Sequence, residues 1–549
     1  MLELNYKNDN TFLSGNIDED VLKIIIEECS YKVPQAQWSS KYQKGTWDGT
    51  ITLFRKFNKS FPSGLLQQVK DLLNLLKIEY KLNDLRPEPV IEKLCEVDLG
   101  NHSFREYQKE AIEKIKSEER GILAMCTGAG KTKTSCGIIS DLSVFPVIFI
   151  VPSVSLLKQT VKEFETSLKS LSPEFSIGEI GGGVCRIAKN GVNVCTYHTL
   201  LQSYDKKYAE DKKKIIDLSD KNSIPNLEKS LKSLNLDLKF ADKSKATTVK
   251  KKIKEVEKKI QDKKNTIKAK EEIRTLISEC QLFISDETHI ASETIEFLSQ
   301  KAINGFYRVG LSATPKRSDN ADKRMFGASG SIIHSITASD LIKQNYLVRP
   351  FIFGIDIGFS DRSGKNYADT YKNAIVNNEH RNNLIRDLAV AMKEDNRPTL
   401  IFVERLEHGK YLESIIPNSL FVPGKDSSNS DEAISDEEMD YRRAQLNRLE
   451  RNEIILIGTQ WINQGVDAPK ISCLILAGSC SAENVTMQQI GRGLRKAENK
   501  SDCIIFDFKM KEQNLRQHFY SRKKVYLSES EFVFKEIGYN NSIGSYVQK

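Results

Sequence analysis

Ile122-Leu123-Ala124-Met125-Cys126-Thr127-Gly128-Ala129-Gly130-Lys131-Thr132 is the stretch whose reading sets the fold. An apolar run ends in a glycine-rich turn, and a helix-like pattern begins at its far side. In that context Thr127, Gly128, Ala129 and Gly130 form a phosphate cradle. Glycines let successive backbone N–H groups and a helix N-terminus point at phosphate oxygens, Lys131 brings a positive charge, and the Thr132 hydroxyl can reach Mg²⁺. Met125 stands where the usual G-x-x-x-x-G-K-[ST] spacing has its first glycine.

The same unit, a short β-branched run followed by a turn and a helix, recurs on both sides. Val147 to Val151, Val192 to Thr196, Leu282 to Ser285 and Tyr307 to Leu311 read as strands. After residue 390 so do Thr399 to Val403, Ile454 to Ile457, Ile471 to Leu476 and Cys503 to Phe508. Such alternation predicts parallel sheets covered by helices, here as two α/β domains in tandem at 96–345 and 346–525. Residues 1–95 predict a small α/β domain, with helices at Val21 to Glu28 and Gln67 to Leu76. A strand over Thr50 to Phe54 is entered through the turn Trp47-Asp48-Gly49. Arg86-Pro87-Glu88-Pro89 reads as a linker, and 526–549 as a C-terminal tail.

A segment at 205–275 interrupts the first α/β domain with 21 lysines. Leu227, Leu231, Leu234 and Leu238, then Val249, Ile253, Val256, Ile260 and Ile267, are spaced as the seams of two coiled-coil helices folded back across Lys239 to Thr247. Two readings stay open: a solvated helical decoration, or a basic arm that grips phosphates. Gly424 to Met439 reads as an acidic loop.

Composition narrows the class. Lysine plus arginine total 82 against 74 acids, a net charge of +8 that is too small to specify a polyanionic partner by itself. A hydrophobic share of 39% with 28% charged residues fits a folded chain of about three to four domains. No apolar run approaches the ~18 residues of a membrane helix, and the start lacks a signal-peptide pattern, so a cytoplasmic, non-membrane protein is expected. Ten cysteines without Cys-x-x-Cys spacing read as buried thiols rather than a metal cluster.

Two further elements carry chemistry. Asp286-Glu287-Thr288-His289 ends an apolar run, so its acids fall at a strand's carboxyl end, where open α/β sheets bind ligands. Asp286 can hold Mg²⁺ while Glu287 orients and deprotonates water. Gln488-Gln489-Ile490-Gly491-Arg492-Gly493-Leu494-Arg495 offers two arginines one helical step apart, suited to charge developing on a γ-phosphate.

In this order the motifs resemble those of superfamily 2 helicases over residues 100 to 510. The resemblance implies two RecA-like domains with ATP and Mg²⁺ between them. It assigns catalysis to Lys131, Asp286, Glu287, His289, Arg492 and Arg495, and metal binding to Thr132 and Asp286. Arg105 and Gln108, within Phe104-Arg105-Glu106-Tyr107-Gln108, match the adenine-reading element, and Gly465, Asp467 and Gln488 also fall on the nucleotide side. Ser312 and Thr314, in Ser312-Ala313-Thr314, match the motif that couples hydrolysis to domain movement. Pro152, Ser153, Gly182, Thr196 and Thr459 match the nucleic-acid track. Trp461 suits either base stacking or a core position. Lys44-Gly45-Thr46-Trp47-Asp48-Gly49 with Phe61-Pro62-Ser63-Gly64-Leu65 resembles the N-terminal domain of UvsW-type phage helicases, although Trp47-Asp48-Gly49 is equally compatible with an ordinary turn. The implied activity is that of a monomeric, ATP-dependent helicase on single-stranded or branched DNA: forks, Holliday junctions, or R-loops with their RNA. A double-strand DNA translocase of a restriction or defence system, and an RNA helicase, are the alternatives.

Overall fold

The computed structural model describes residues 1–204, 223–240, 242–313, 322–358, 364–424, 436–463 and 468–538. Among the described residues it contains two large sheets, a four-stranded N-terminal one and two two-stranded ribbons. The N-terminal sheet runs in the order Ser60–Pro62, Asn10–Gly15, Leu2–Tyr6, Tyr80–Asp84. Alternate residues of Leu2–Tyr6 are buried, as expected of a sheet with one covered face. Helices Glu19–Glu28 and Leu66–Leu75 bury Ile25, Val69 and Leu73 against Leu4 and Phe61. The expected strand at 50–54 shortens to Thr50–Thr52, paired with Ser30–Lys32. Trp47 donates its indole N–H to the Thr50 carbonyl at 2.6 Å, which makes Trp47-Asp48-Gly49 a closed turn.

The first lobe holds an eight-stranded sheet. Its order is Val184–Arg186, Phe175–Gly181, Asn190–Thr196, Val147–Val151, Leu282–Ser285, Tyr307–Ser312, Arg120–Met125, Ile332–Ile336, and only the first edge strand is antiparallel. The second lobe is a wholly parallel sheet of seven: Ser419–Val422, Ile455–Gly458, Thr399–Phe402, Cys473–Leu476, Asp502–Lys509, Arg349–Asp356, Val533–Gly538. Val147–Val151, Leu282–Ser285 and Cys473–Leu476 are buried along their whole length, because helices cover both faces and alternation disappears. These are the two RecA-like domains. Val533–Gly538 corrects one expectation: it lies in the segment read as a tail, yet it forms the edge of the second sheet beside Arg349–Asp356.

Helices Ile224–Lys239 and Lys243–Glu279 form the hairpin read from the lysine-rich segment, packed on one another with Leu227, Ile253 and Ile260 buried. Residues 205–222 of that segment, and most of the acidic loop, lie outside the described residues. Eight of the ten cysteines are buried; Cys185 is exposed and Cys480 half-buried. Among the described residues no helix is long and apolar enough to cross a membrane.

Candidate nucleotide site and nucleic-acid track

The glycine-rich turn leaves the strand Arg120–Met125 and enters the helix Lys131–Leu142. Gly128 and Gly130 adopt φ of +87° and +78°, conformations that L side chains rarely take. Gly130 has a second reason to be glycine, because a β-carbon there would sit 2.7 Å from Gln108 Nε2. Gln108 is buried and donates from Nε2 to the Ala129 carbonyl at 3.1 Å, while its Oε1 accepts from the Arg105 backbone N–H at 3.0 Å. The Tyr107 hydroxyl donates to the same carbonyl at 2.8 Å, and Arg105 lies 4.1 Å over the ring of Tyr346. Sequence reasoning missed Tyr107 and Tyr346. Tyr107 sits inside the Phe104-to-Gln108 motif and could have been found there, whereas nothing in the sequence pairs Tyr346 with a residue some 240 positions earlier.

Lys131 Nζ is 2.6 Å from Glu287 Oε1 and 4.0 Å from Asp286 Oδ1. Asp286 follows the buried strand Leu282–Ser285, and its backbone N–H donates to the Ile150 carbonyl at 2.8 Å. Glu287 sits at φ +48°, a strained conformation of the kind that clusters at functional sites. His289 Nδ1 lies 3.5 Å from Glu287 Oε2 and 2.9 Å from Ser312 Oγ, so the acidic motif touches the end of the strand Tyr307–Ser312 directly. Thr314, like Gly465 and Asp467, lies outside the described residues.

Charge separates the two acids. Burial raises the Asp286 carboxyl, and Glu287 adds to the rise although Lys131 opposes it. Burial also opposes ionisation of Glu287, but Lys131, His289 and Arg492 outweigh it and hold that carboxyl below its ordinary value. Lys131 is raised: its burial favours the neutral amine, yet Glu287 and Asp286 more than compensate. A buried ammonium facing two carboxylates beside glycine-turn amides is a donor set that fits a polyphosphate and a divalent cation.

The second lobe closes this site. A β-carbon on Gly491 would fall 2.5 Å from Thr127 Cβ, and one on Gly128 would meet Leu347 at 3.1 Å and Arg495 Cγ at 4.0 Å. Arg492 and Gln488 are buried on the helix Glu483–Gly493. One expectation is corrected here: Arg492 and Arg495 do not share a helix. The helix ends at Gly493; Leu494 accepts from the Val348 backbone N–H at 2.9 Å, and Arg495 bridges to Leu347. The interlobe connection pulls Arg495 out of the helical register and onto the phosphate loop.

The expected track residues of the first lobe gather at the carboxyl ends of three adjacent strands. Ser153, after Pro152, caps the helix Val154–Ser167 by accepting from Leu156 N–H at 3.4 Å. The Gly182 turn abuts Val154, and the Gly181 β-carbon position lies 2.9 Å from Thr196, whose hydroxyl bonds to that of Thr199 at 2.9 Å. In the second lobe Thr459 accepts from Gly424 N–H at 2.7 Å. Trp461 donates to the Val422 carbonyl at 2.7 Å, with Arg442 4.8 Å over its ring, so the indole is engaged within its own lobe.

Comparison with known proteins fits this architecture. Family models match in three segments: the type III restriction enzyme res subunit at 101–317, the N-terminal domain of DNA helicase UvsW at 4–83, and the helicase conserved C-terminal domain at 380–497. In these three segments the chain is similar to superfamily 2 helicases of the UvsW type. The ATP-dependent DNA helicase uvsW of Enterobacteria phage T4 is 21% identical over 504 residues, covering 87% of this chain and 84% of that protein. Putative helicase 22 of a Sulfolobus islandicus filamentous virus is 25% identical over 252 residues, and the alignment spans 44% of its length. Among solved structures, that of T4 UvsW covers 98% of this chain at 19% identity, with a TM-score of 0.42.

Proposed function

We propose that this helicase hydrolyses ATP with Mg²⁺ to unwind or branch-migrate branched DNA such as forks, Holliday junctions and R-loops, acting as a monomer in recombination, repair or replication in the cytoplasm. One observation carries the motor reading: the second lobe touches the phosphate loop through Gly491 and Thr127, while Arg492 acts electrostatically on Glu287. Lys131 and the loop amides would hold the phosphates, Thr132 and Asp286 the Mg²⁺, and Arg105 and Gln108 would lie toward the base. Glu287, kept ionised, would take the proton of the attacking water. Arg492 and Arg495 would stabilise charge on the γ-phosphoryl group as it passes to water. Both walls of the cleft are needed to bind the triphosphate, so its hydrolysis lets the lobes part. His289 to Ser312 is the route by which the change would leave the site, with Thr314 beyond it. Pro152, Ser153, Gly182, Thr196 and Thr459 would hold backbone phosphates, which makes tracking indifferent to sequence.

The match of residues 101–317 to a restriction-enzyme subunit supports a second reading, a double-strand translocase. ATPase stimulation by single-stranded, forked, four-way and RNA-containing substrates, with strand displacement set against triplex displacement, tests the proposal. Preferred stimulation by forked or four-way DNA with strand displacement is expected. Triplex displacement alone favours the translocase, and stimulation by RNA alone an RNA helicase.

A further inference from the structure

The helix Lys243–Glu279 has 37 residues, about 55 Å at 1.5 Å per residue. Only its last turns are rooted in the first lobe. Ile273, Leu276, Ile277 and Cys280 share one buried cluster with Ile180, Cys195, Leu200, Phe283, Ile295 and Leu298. The remaining thirty or so residues, roughly 45 Å of helix, pack chiefly on Ile224–Lys239. The root lies between the Thr196 segment and the strand that ends at Asp286.

Charge is distributed unevenly along this arm. Residues 250–264 hold eight lysines against three acids, Glu255, Glu257 and Asp262, whereas 265–279 hold Lys268, Lys270 and Arg274 against Glu271, Glu272 and Glu279. The neutral part is the root and the positive part lies beyond it. A helix kept soluble by its surface charge has no need of that gradient. Ile253 and Ile260 face the partner helix and are buried. The side away from that seam carries Lys251, Lys254 and Lys258 with Glu255 and Asp262 among them, and Lys250, Lys252 and Lys259 flank it. All six lysines are exposed. Like charges at i and i+4, as at Lys250/Lys254 and Lys254/Lys258, oppose the helix, a cost that a polyanion would cancel.

We propose that the outer part of this arm binds the phosphate backbone of duplex nucleic acid, holding the double-stranded portion of the substrate while the core tracks one strand. A straight, rigid helix with an excess of lysine matches a rigid double helix better than a flexible strand, and lysine point charges give sequence-independent, salt-sensitive binding. The choice of polyanion rests on reading the core as a nucleic-acid motor; the binding itself does not.

The test replaces Lys250, Lys251, Lys252, Lys254, Lys258 and Lys259 together by Gln, which keeps helix propensity, with Lys268→Gln/Lys270→Gln at the root as control. Binding to labelled duplex and to labelled single strand is measured without ATP across a salt series. The outer variant should bind duplex more weakly, with the slope of log affinity against log salt shallower by about 2 or more, at about 0.9 for each phosphate that lysine no longer neutralises. Its circular dichroism, basal ATPase and single-strand affinity should match those of the parent, and the root control should keep the parental slope. An unchanged duplex slope in a folded outer variant, or a loss confined to single strands, overturns the proposal. If the parent shows no nucleic-acid-stimulated ATPase while the slope still falls, the motor reading fails and the arm assignment stands.

Discussion

Gly491 of the second lobe lies so close to Thr127 of the phosphate loop that a β-carbon would come within 2.5 Å of Thr127 Cβ and 2.8 Å of its Cγ2. Replacing Gly491 by Ala favours the helix itself by about 1 kcal/mol, so any harm comes from the contact between lobes. Displacing reacting groups by an ångström costs about 10²-fold in rate. Gly491→Ala is therefore expected to lower ATPase turnover by about that factor while the melting temperature holds or rises. Parental turnover would remove this contact from the working cycle.

Glu287 and Arg495 approach the phosphate loop from different lobes and should fail differently. Glu287→Gln keeps shape but removes the carboxylate proposed as base and frees Lys131 from its 2.6 Å ion pair. Turnover should fall by ~10²–10⁴, with nucleotide affinity equal to or tighter than the parent's. Arg495→Ala should lower turnover by about 10³ with nucleotide affinity retained. Single-turnover hydrolysis and binding of a fluorescent nucleotide read both; undiminished hydrolysis in either variant strikes that residue from the site.

His408 gives the second lobe an acid-sensitive element. It is buried, its Nε2 lies 3.0 Å from Asn382 Oδ1, and burial together with the Arg381 charge pushes its pKa down to about 3. The unfolded chain takes up this proton near pH 6.5, while the folded chain resists until about pH 3. The stabilising contribution is complete above the unfolded pKa and is lost as pH falls through that window, by up to about 1.4 kcal/mol per unit. His408→Gln keeps a donor for Asn382 and removes the titration. Between neutral pH and about 4.5 the parent should lose about 2 kcal/mol more than the variant. Urea midpoints that shift in parallel would exclude His408 as the source.

The strands that were legible in the sequence are those buried on both faces. Val147–Val151 and Leu282–Ser285 are short apolar runs closed by a turn, Pro152-Ser153 after the first and Asp286-Glu287 after the second, the pattern of a strand buried on both faces. Edge strands carry no such mark. Ile332–Ile336 and Val533–Gly538 are half exposed and include His334, Lys535 and Glu536, so their periodicity is diluted by solvent-facing side chains. That Lys131 meets Asp286 and Glu287 was legible because each stands at the end of a buried strand or the start of the helix after it, positions that local sequence marks. The place of Arg495 was not, since its pairing with Leu347, in the connection that enters the second lobe, ends the helix before it. Gln108 was legible as a motif residue, but its hold on the Ala129 carbonyl is a tertiary contact.

Arg86 shows the same limit at the N-terminal domain and supplies its own test. Beside Pro87 it reads as part of a linker, yet its guanidinium is sandwiched 4.3 Å from the rings of both Tyr6 and Phe306. It also pairs with Asp84 at 2.7 Å and Glu119 at 2.6 Å. Tyr6 and Asp84 belong to the small domain, Glu119 and Phe306 to the first lobe, so one side chain pins the two together. Gly64 seals the same junction, because a β-carbon there would lie 2.0 Å from the Phe326 carbonyl oxygen. Arg86→Ala leaves Asp84 and Glu119 near water, where they hydrate, so the loss comes mainly from the cation–π contacts at about 0.5–2 kcal/mol each. The small domain keeps its own core and should undock rather than unfold. Limited proteolysis should then cut faster between 86 and 95, while the ATPase of the two lobes without nucleic acid stays at the parental level. A cleavage rate equal to the parent's would mean that Gly64 and its neighbours hold the domain without Arg86.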